Sequence, residues 1–158
     1  MTLRFLLPGK CREKYLKEGF DEYLKRLSRF GKVSLLSLPE EPLSSAPSQK
    51  EIETALENEG KRALGLLKSS DILFLADIHA PLLSTEGFAQ KIKAATSKSG
   101  NLVFLFGSSY GLADSVRKRA DCSFSLSPLT FTHYVACFLT LEQVYRAFKI
   151  NHGEAYDK

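Results

Sequence analysis

The chain has 158 residues, of which 44% are hydrophobic and 25% charged, and a formal net charge of +4 at pH 7. This is the length of one ordinary domain, enough to bury about two-thirds of the unfolded chain's surface without disulfides or a metal, and the composition excludes disorder and coiled coil as whole-chain readings. The mild positive charge permits a nucleic-acid partner but falls short of the dense basic stripe that would demand one.

Residues 3–7 form a short apolar run stopped by Pro8 and Gly9, which predicts a strand. Residues 11–28 carry Tyr15, Phe20, Tyr23, Leu24 and Leu27 at near-helical spacing with charges between them, which predicts a helix. A second strand over 33–38 ends at Pro39. The stretch 40–47, with Pro42 and Pro47 among serines, is expected to be a mobile loop. Ser48 and Glu51 make a capping box, because the Ser48 hydroxyl can accept from the Glu51 amide while the Glu51 carboxylate reaches back. The helix it opens runs to about residue 67, with acids early and bases late to suit its dipole.

A third strand lies within 71–78, and Ser84 can cap a helix over 85–98. The fourth strand, 102–106, is apolar throughout, as expected of a strand covered on both faces. A helix over 112–119, a short strand over 122–126 and a last helix over 133–150 follow. Strands alternating with helices predict an α/β fold, a mainly parallel sheet flanked by helices, in a single domain over 1–158.

In open sheets of this kind ligands bind beyond the carboxyl ends of the strands. Three segments fall there: Ala76-Asp77-Ile78-His79, the stretch from Gly107 to Gly111, and the nine residues 125–133. Small residues in the second let backbone approach a ligand, although it matches neither a Walker loop nor a dinucleotide fingerprint, and a plain strand-to-helix turn explains it as well. The third is rich in small, apolar and hydroxyl side chains, which can wrap a neutral ligand such as an adenine or simply line the core. Asp77 is a candidate general base or a loop-bonding aspartate. Arg117, Lys118 and Arg119 read first as a solvated basic face and second as RNA contacts.

Cys11, Cys122 and Cys137 fit neither a disulfide framework nor a zinc pattern, which is the usage of a reducing cytoplasm. His79, His133 and His152 are too scattered for a short metal motif, so no metal is expected. No apolar run reaches the roughly 18 residues of a membrane span, and the opening run is too short for a signal segment, so no membrane partner is expected. The last helix is apolar around well over half its circumference, from Tyr134 to Phe148. Such a helix is covered on several sides, by a second subunit or by its own chain. The tail 152–158 is polar and broken by Gly153, and is expected to serve the substrate side rather than folding.

These segments, in this order, resemble the large-subunit ribosomal RNA methyltransferase H family of the SPOUT superfamily. The likeness covers essentially the whole chain. It is carried by Pro8-Gly9-Lys10, Lys50-Glu-Ile-Glu53, Leu83-Ser-Thr-Glu-Gly-Phe-Ala89 and Phe104-Leu-Phe-Gly107 with Gly111-Leu112. It continues with Ser125-Leu-Ser127, Leu129-Thr-Phe131, His133, the run from Glu142 to Ile150, and Gly153-Glu-Ala-Tyr156 with Lys158.

The resemblance implies an α/β trefoil knot in the C-terminal half and a homodimer. It implies S-adenosyl-L-methionine-dependent methylation of N3 of a pseudouridine in large-subunit ribosomal RNA, free or in the ribosome. By matched position, cofactor contacts fall on Ala76, Gly107, Leu126, Ser127, Pro128, Leu129, Thr130 and Phe131. Substrate contacts fall on His133 and Arg146, and catalytic residues on Tyr156, Asp157 and Lys158. The chain departs from the family pattern at Ser108 (usually glycine), Thr132 (proline), Cys137 (often arginine) and Asp157 (histidine). The alternative those departures imply is a SPOUT dimer that binds cofactor or RNA without methyl transfer.

Overall fold

The computed structural model describes residues 1–156. Five strands, β1 (Thr2–Pro8), β2 (Lys32–Leu38), β3 (Ile72–Ala76), β4 (Asn101–Phe106) and β5 (Cys122–Phe124), form one sheet in the order β2-β1-β4-β3-β5. Every pairing is parallel. Helices α1 (Lys14–Leu27), α2 (Gln49–Gly65), α3 (Thr85–Lys98), α4 (Asp114–Arg119) and α5 (His133–Asn151) fill the connections and the end of the chain.

Strand side chains alternate between the two faces, and here both faces are apolar. Leu3, Phe5, Leu7, Ile72, Phe74, Leu102, Phe104 and Phe106 point towards α1, α3 and α5. Leu6, Leu73, Leu75, Val103 and Leu105 point towards α2 and α4. The result is three layers with the heavier, aromatic core on one side. There Phe104 stacks on Phe5 with centroids 4.8 Å apart and meets Phe74 at 5.1 Å.

The expected capping devices are in place. Ser48 accepts from the Glu51 amide at 3.2 Å while the Glu51 carboxylate accepts from the Ser48 amide at 2.6 Å. Ser84 accepts from the Gly87 amide at 3.0 Å. Boundaries shift where tertiary contacts intervene. α1 begins at Lys14 rather than at Cys11, whose side chain is buried in the core. β5 stops at Phe124, because the Ser125 amide donates to the Pro81 carbonyl at 3.0 Å and turns the chain away. The loop after β2 is tethered at its start, where Arg62 donates to the Pro39 carbonyl at 3.3 Å and to Glu41 at 2.7 Å.

Charges close the amino end of the sheet. Asp71 accepts from Arg4 and from the Lys68 amide, and Asp121 accepts from the Leu73 amide at 2.8 Å and from Arg119 at 2.8 Å. Arg119 also donates to the Asp71 carbonyl at 2.8 Å. Arg119 is therefore a fold-holding residue rather than part of an open basic face.

α5 lies across α1 and α3, and none of its residues is fully exposed. Its apolar circumference is thus largely covered within one chain. The tail is docked as far as Tyr156. Glu154 pairs with Arg29 at 2.9 Å and with Lys149, and the Tyr156 ring stands edge-on to Tyr145 at 5.1 Å. These contacts give the polar tail a share in packing that its composition hides. Among the described residues no helix is long and apolar enough to cross a membrane.

Candidate active site

The connection from β1 leads to one side of the sheet and that from β4 to the other, so a crevice opens above the carboxyl ends of these neighbouring strands. A cleft of about 980 Å³ occupies this region and extends over the ends of β3 and β5. Ala76, Gly107, Leu126, Ser127, Leu129, Thr130, Phe131 and His133 all line it. Pro128 does not, although its neighbours do. Arg146 and Tyr156 do not line it either.

Each wall has a local cause. Gly107 ends β4 where the backbone doubles back: the Ser108 amide donates to the Gly111 carbonyl at 3.1 Å, and the Gly111 amide to the Ser108 carbonyl at 3.0 Å. Gly111 takes the positive φ of +108° that closes this turn. The amides of Ser108 and Gly111 are thus used on each other, so the turn offers a close backbone floor rather than a nest of free donors. The 125–131 loop is shaped by its own hydroxyls. Ser125 donates to the Ser127 carbonyl at 3.0 Å, and the Ser127 hydroxyl accepts from the Leu129 amide at 3.0 Å. This turns Leu129, 74% exposed, and Phe131 outwards at the mouth.

Asp77 and Arg117 join two of the walls. Arg117 Nε donates to Asp77 at 2.7 Å, and the same guanidinium donates to the Leu112 carbonyl at 3.0 Å. Asp77 also accepts from the His79 amide at 3.1 Å. Burial pushes the Asp77 carboxyl up, but the Arg117 hydrogen bond, the His79 amide and the guanidinium charge outweigh it and hold it below its ordinary value. Replacing Arg117 by Met leaves a carboxylate only 8% exposed without its cation. About 2 kcal/mol of stability should be lost at neutral pH in urea unfolding. A depressed carboxyl contributes stability that is present at neutral pH and lost as pH falls through the folded-state value, so acid unfolding of Arg117→Met should move to higher pH.

Arg146 lies about 20 Å along α5 from His133, at 1.5 Å per residue. It pairs there with Glu142 at 2.8 Å and lies over the Tyr156 ring at 4.7 Å. The Tyr156 hydroxyl donates to Glu142 at 3.3 Å. Burial, then the Tyr23 hydroxyl and the Glu142 charge, push this phenol up to about 12. The candidate residues thus fall into two groups, one at the cleft and one at the far end of α5. Asp157 and Lys158 lie outside the described residues.

The cleft also uses Glu13, Tyr15 and Tyr134, which sequence patterning had assigned to ordinary helix surfaces. Tyr15, large and exposed at the start of α1, was the one available signal. Among the described residues no cluster of His, Cys, Asp and Glu is arranged to hold a metal.

The sequence pattern of the family described as "Predicted SPOUT methyltransferase" matches residues 1–157. A curated relative, "Ribosomal RNA large subunit methyltransferase H" of Levilactobacillus brevis, is 39% identical over 159 residues, covering 100% of both chains. The chain belongs to the ribosomal RNA large subunit methyltransferase H family of SPOUT methyltransferases.

The fold agrees with this membership. A "probable rRNA-methyltransferase from Porphyromonas gingivalis" superposes with a TM-score of 0.51 at 10% identity, over 95% of this chain and 68% of that one. The "SpoU Methyltransferase AviRb from Streptomyces viridochromogenes" gives a TM-score of 0.44 at 14% identity, and the present chain covers 61% of its length with 98% of its own. SPOUT membership implies a methyl-donor cofactor, and the cleft fits one. Its floor lacks a side chain at Gly107, where a Cβ would stand 2.9 Å from the Gly111 carbonyl oxygen.

Proposed function

We propose that this SPOUT methyltransferase uses S-adenosyl-L-methionine to methylate N3 of a pseudouridine in large-subunit ribosomal RNA, working as a knotted homodimer in the cytoplasm. The observation that carries the reading is end-to-end similarity to a relative of that name, in a chain whose matched Gly107 and 125–131 loop line one large cleft. When bound, the cofactor supplies a methyl group already activated for transfer.

The chain's own task is binding, orientation and exclusion of water. Gly107 and the Ser108–Gly111 turn form the floor, while Leu126, Leu129 and Phe131 supply apolar wall. Holding the attacking nitrogen in line is worth several kcal/mol of barrier, about 7 or more where alignment is best. Two of the departures from the family pattern remove nothing from this arrangement. The Thr132 hydroxyl accepts from the Val135 amide and caps α5, and Cys137 is fully buried in the core, which favours the active enzyme over a degenerate dimer.

The dimer draws support from the separation of Arg146 and Tyr156 from the cleft of their own chain, and from exposed Ile78, Leu82, Leu129 and Phe131. Sedimentation at micromolar concentration should give a dimer; a monomer would remove this part of the reading.

The deciding experiment is mass-spectrometric mapping of ribosomal RNA from cells with and without the protein, paired with methyl transfer to ribosomes lacking the modification. Loss of one N3-methylated pseudouridine, restored by the purified protein, is the expected result. Truncation after His152 should abolish transfer and leave cofactor affinity within about twofold. Because that truncation removes the Glu154 and Tyr156 contacts, it should also lower stability by about 1–3 kcal/mol, read by urea unfolding. Undiminished transfer by the truncated protein would reject a role for Tyr156, Asp157 and Lys158.

A further inference from the structure

The loop after β2 brings Glu40 against the first residue of α5. Glu40 Oε1 stands 3.7 Å from His133 Nε2, on an imidazole side chain that is 13% exposed. Nε2 itself is buried and has no hydrogen-bond partner among the described residues. The Pro8 carbonyl, at the end of β1, is set to accept the ring's one N–H. In that tautomer Nε2 presents a bare lone pair beside a carboxylate oxygen. Two acceptors facing each other are unfavourable until a proton or an N–H enters between them, and leaving such a group buried and unmatched costs about 1–3 kcal/mol.

The arrangement is built into the fold rather than left to a flexible side chain. Gly9 has φ +76°, and a Cβ there would meet the Tyr134 hydroxyl at 2.6 Å and Glu40 Oε2 at 3.0 Å. The absence of that Cβ is what lets Glu40 and Tyr134 close over the end of β1. The Gly9 amide donates to the Leu38 carbonyl at 2.8 Å and holds the start of the Glu40 loop beside it. His133 lines the cleft together with Gly107 and Phe131.

We propose that His133, held and charge-compensated by Glu40, is the proton acceptor for the N–H of the target uracil ring. This rests on the methyltransferase reading above. As the proton passes to Nε2, the electron pair left on the ring nitrogen forms the new bond to the methyl carbon. The methyl–sulfur bond breaks with its pair going to sulfur. One positive charge is lost from the sulfonium and one is gained by the imidazolium, next to the Glu40 carboxylate.

The surrounding charges suit the task. Burial pushes the His133 imidazolium down, while Glu40 and the Pro8 carbonyl raise it in part, and the net value lies below the ordinary histidine range. The ring is therefore neutral at pH 7 and able to accept. Tyr134 is its ring neighbour at 4.1 Å, and Cys11, Arg12 and Glu13 from the β1–α1 connection face Tyr134. From α2, Glu59 faces Glu40.

The test combines single-turnover methyl transfer to ribosomes lacking the modification, measured against pH, with cofactor affinity by calorimetry. A third measurement, ¹⁵N NMR of the His133 ring in the free protein, does not depend on activity. His133→Gln should slow transfer about 100-fold or more, with cofactor affinity within twofold of wild type and the acid limb of the pH profile gone. His133→Asn should behave alike and covers a misfolded glutamine variant.

Glu40→Gln should move the acid limb and the NMR titration of His133 together to lower pH. In the wild type NMR should find Nε2 unprotonated at pH 7. An undiminished rate in His133→Gln, a rate loss matched by lost cofactor affinity, or an NMR titration that ignores Glu40→Gln would each overturn the proposal. A wild type that transfers no methyl group overturns the methyltransferase reading and this proposal with it; an active wild type with an unaffected His133→Gln overturns this proposal alone.

Discussion

Gly107→Leu should weaken cofactor binding at least about 100-fold, close to 2.8 kcal/mol, and leave the far-ultraviolet circular dichroism near that of the wild type. The reason is where the new side chain would have to go. A Cβ at residue 107 lies 2.9 Å from the Gly111 carbonyl oxygen and 3.2 Å from its carbonyl carbon, with Leu112 Cγ at 3.1 Å. Two of these atoms are backbone, and that same oxygen accepts from the Ser108 amide. The turn must open to make room, and it is the floor of the cleft. β4 and α4, on either side, are anchored by buried Phe106 and Val116, so the damage should stay local. Calorimetry showing unchanged affinity would mean the cofactor sits elsewhere.

Phe104→Ala should destabilise the protein by about 3–5 kcal/mol in urea unfolding and lower Tm by roughly 10 °C. Phe104 is fully buried in the central part of β4. Register places Phe5 directly opposite it on β1 and Phe74 directly opposite on β3. One ring therefore holds three adjacent strands, and its removal leaves a cavity that backbone hydrogen bonds on both sides prevent from collapsing. Leu36→Ala on the edge strand β2, where the side chain is 41% exposed, should change stability by no more than about 0.5 kcal/mol. Similar losses in the two variants would show that the aromatic core does not carry the sheet.

The elements themselves were legible locally. Period-two apolar runs marked the strands, and Ser48 with Glu51 and Ser84 marked two helix starts to the residue. Both kinds of signal act within a few residues, so they survive without knowledge of the fold. The carboxyl-end segments were legible for the same reason: Gly107 and the 125–131 loop follow strands, and ligand sites in parallel sheets follow strands. The apolar girth of α5 was visible too, but its meaning was not. A helix sequence records that it is covered, not whether α1 and α3 or a second chain does the covering.

Other features needed the strand order β2-β1-β4-β3-β5. That order puts the end of β3 beside the end of β5, which brings Asp77 to Arg117 across 40 residues of chain. It puts β1 between β2 and β4, which brings Glu40 over Gly9 and against His133. The five strands have nearly interchangeable apolar content, so no single stretch encodes which lies next to which. Composition and spacing determined an α/β protein with its chemistry at the carboxyl ends of the strands. The partners of Asp77, Arg119, Glu154 and His133 were decided only when burial of both sheet faces selected one order of strands, since a charged side chain far along the chain has no local signature of the partner it will meet.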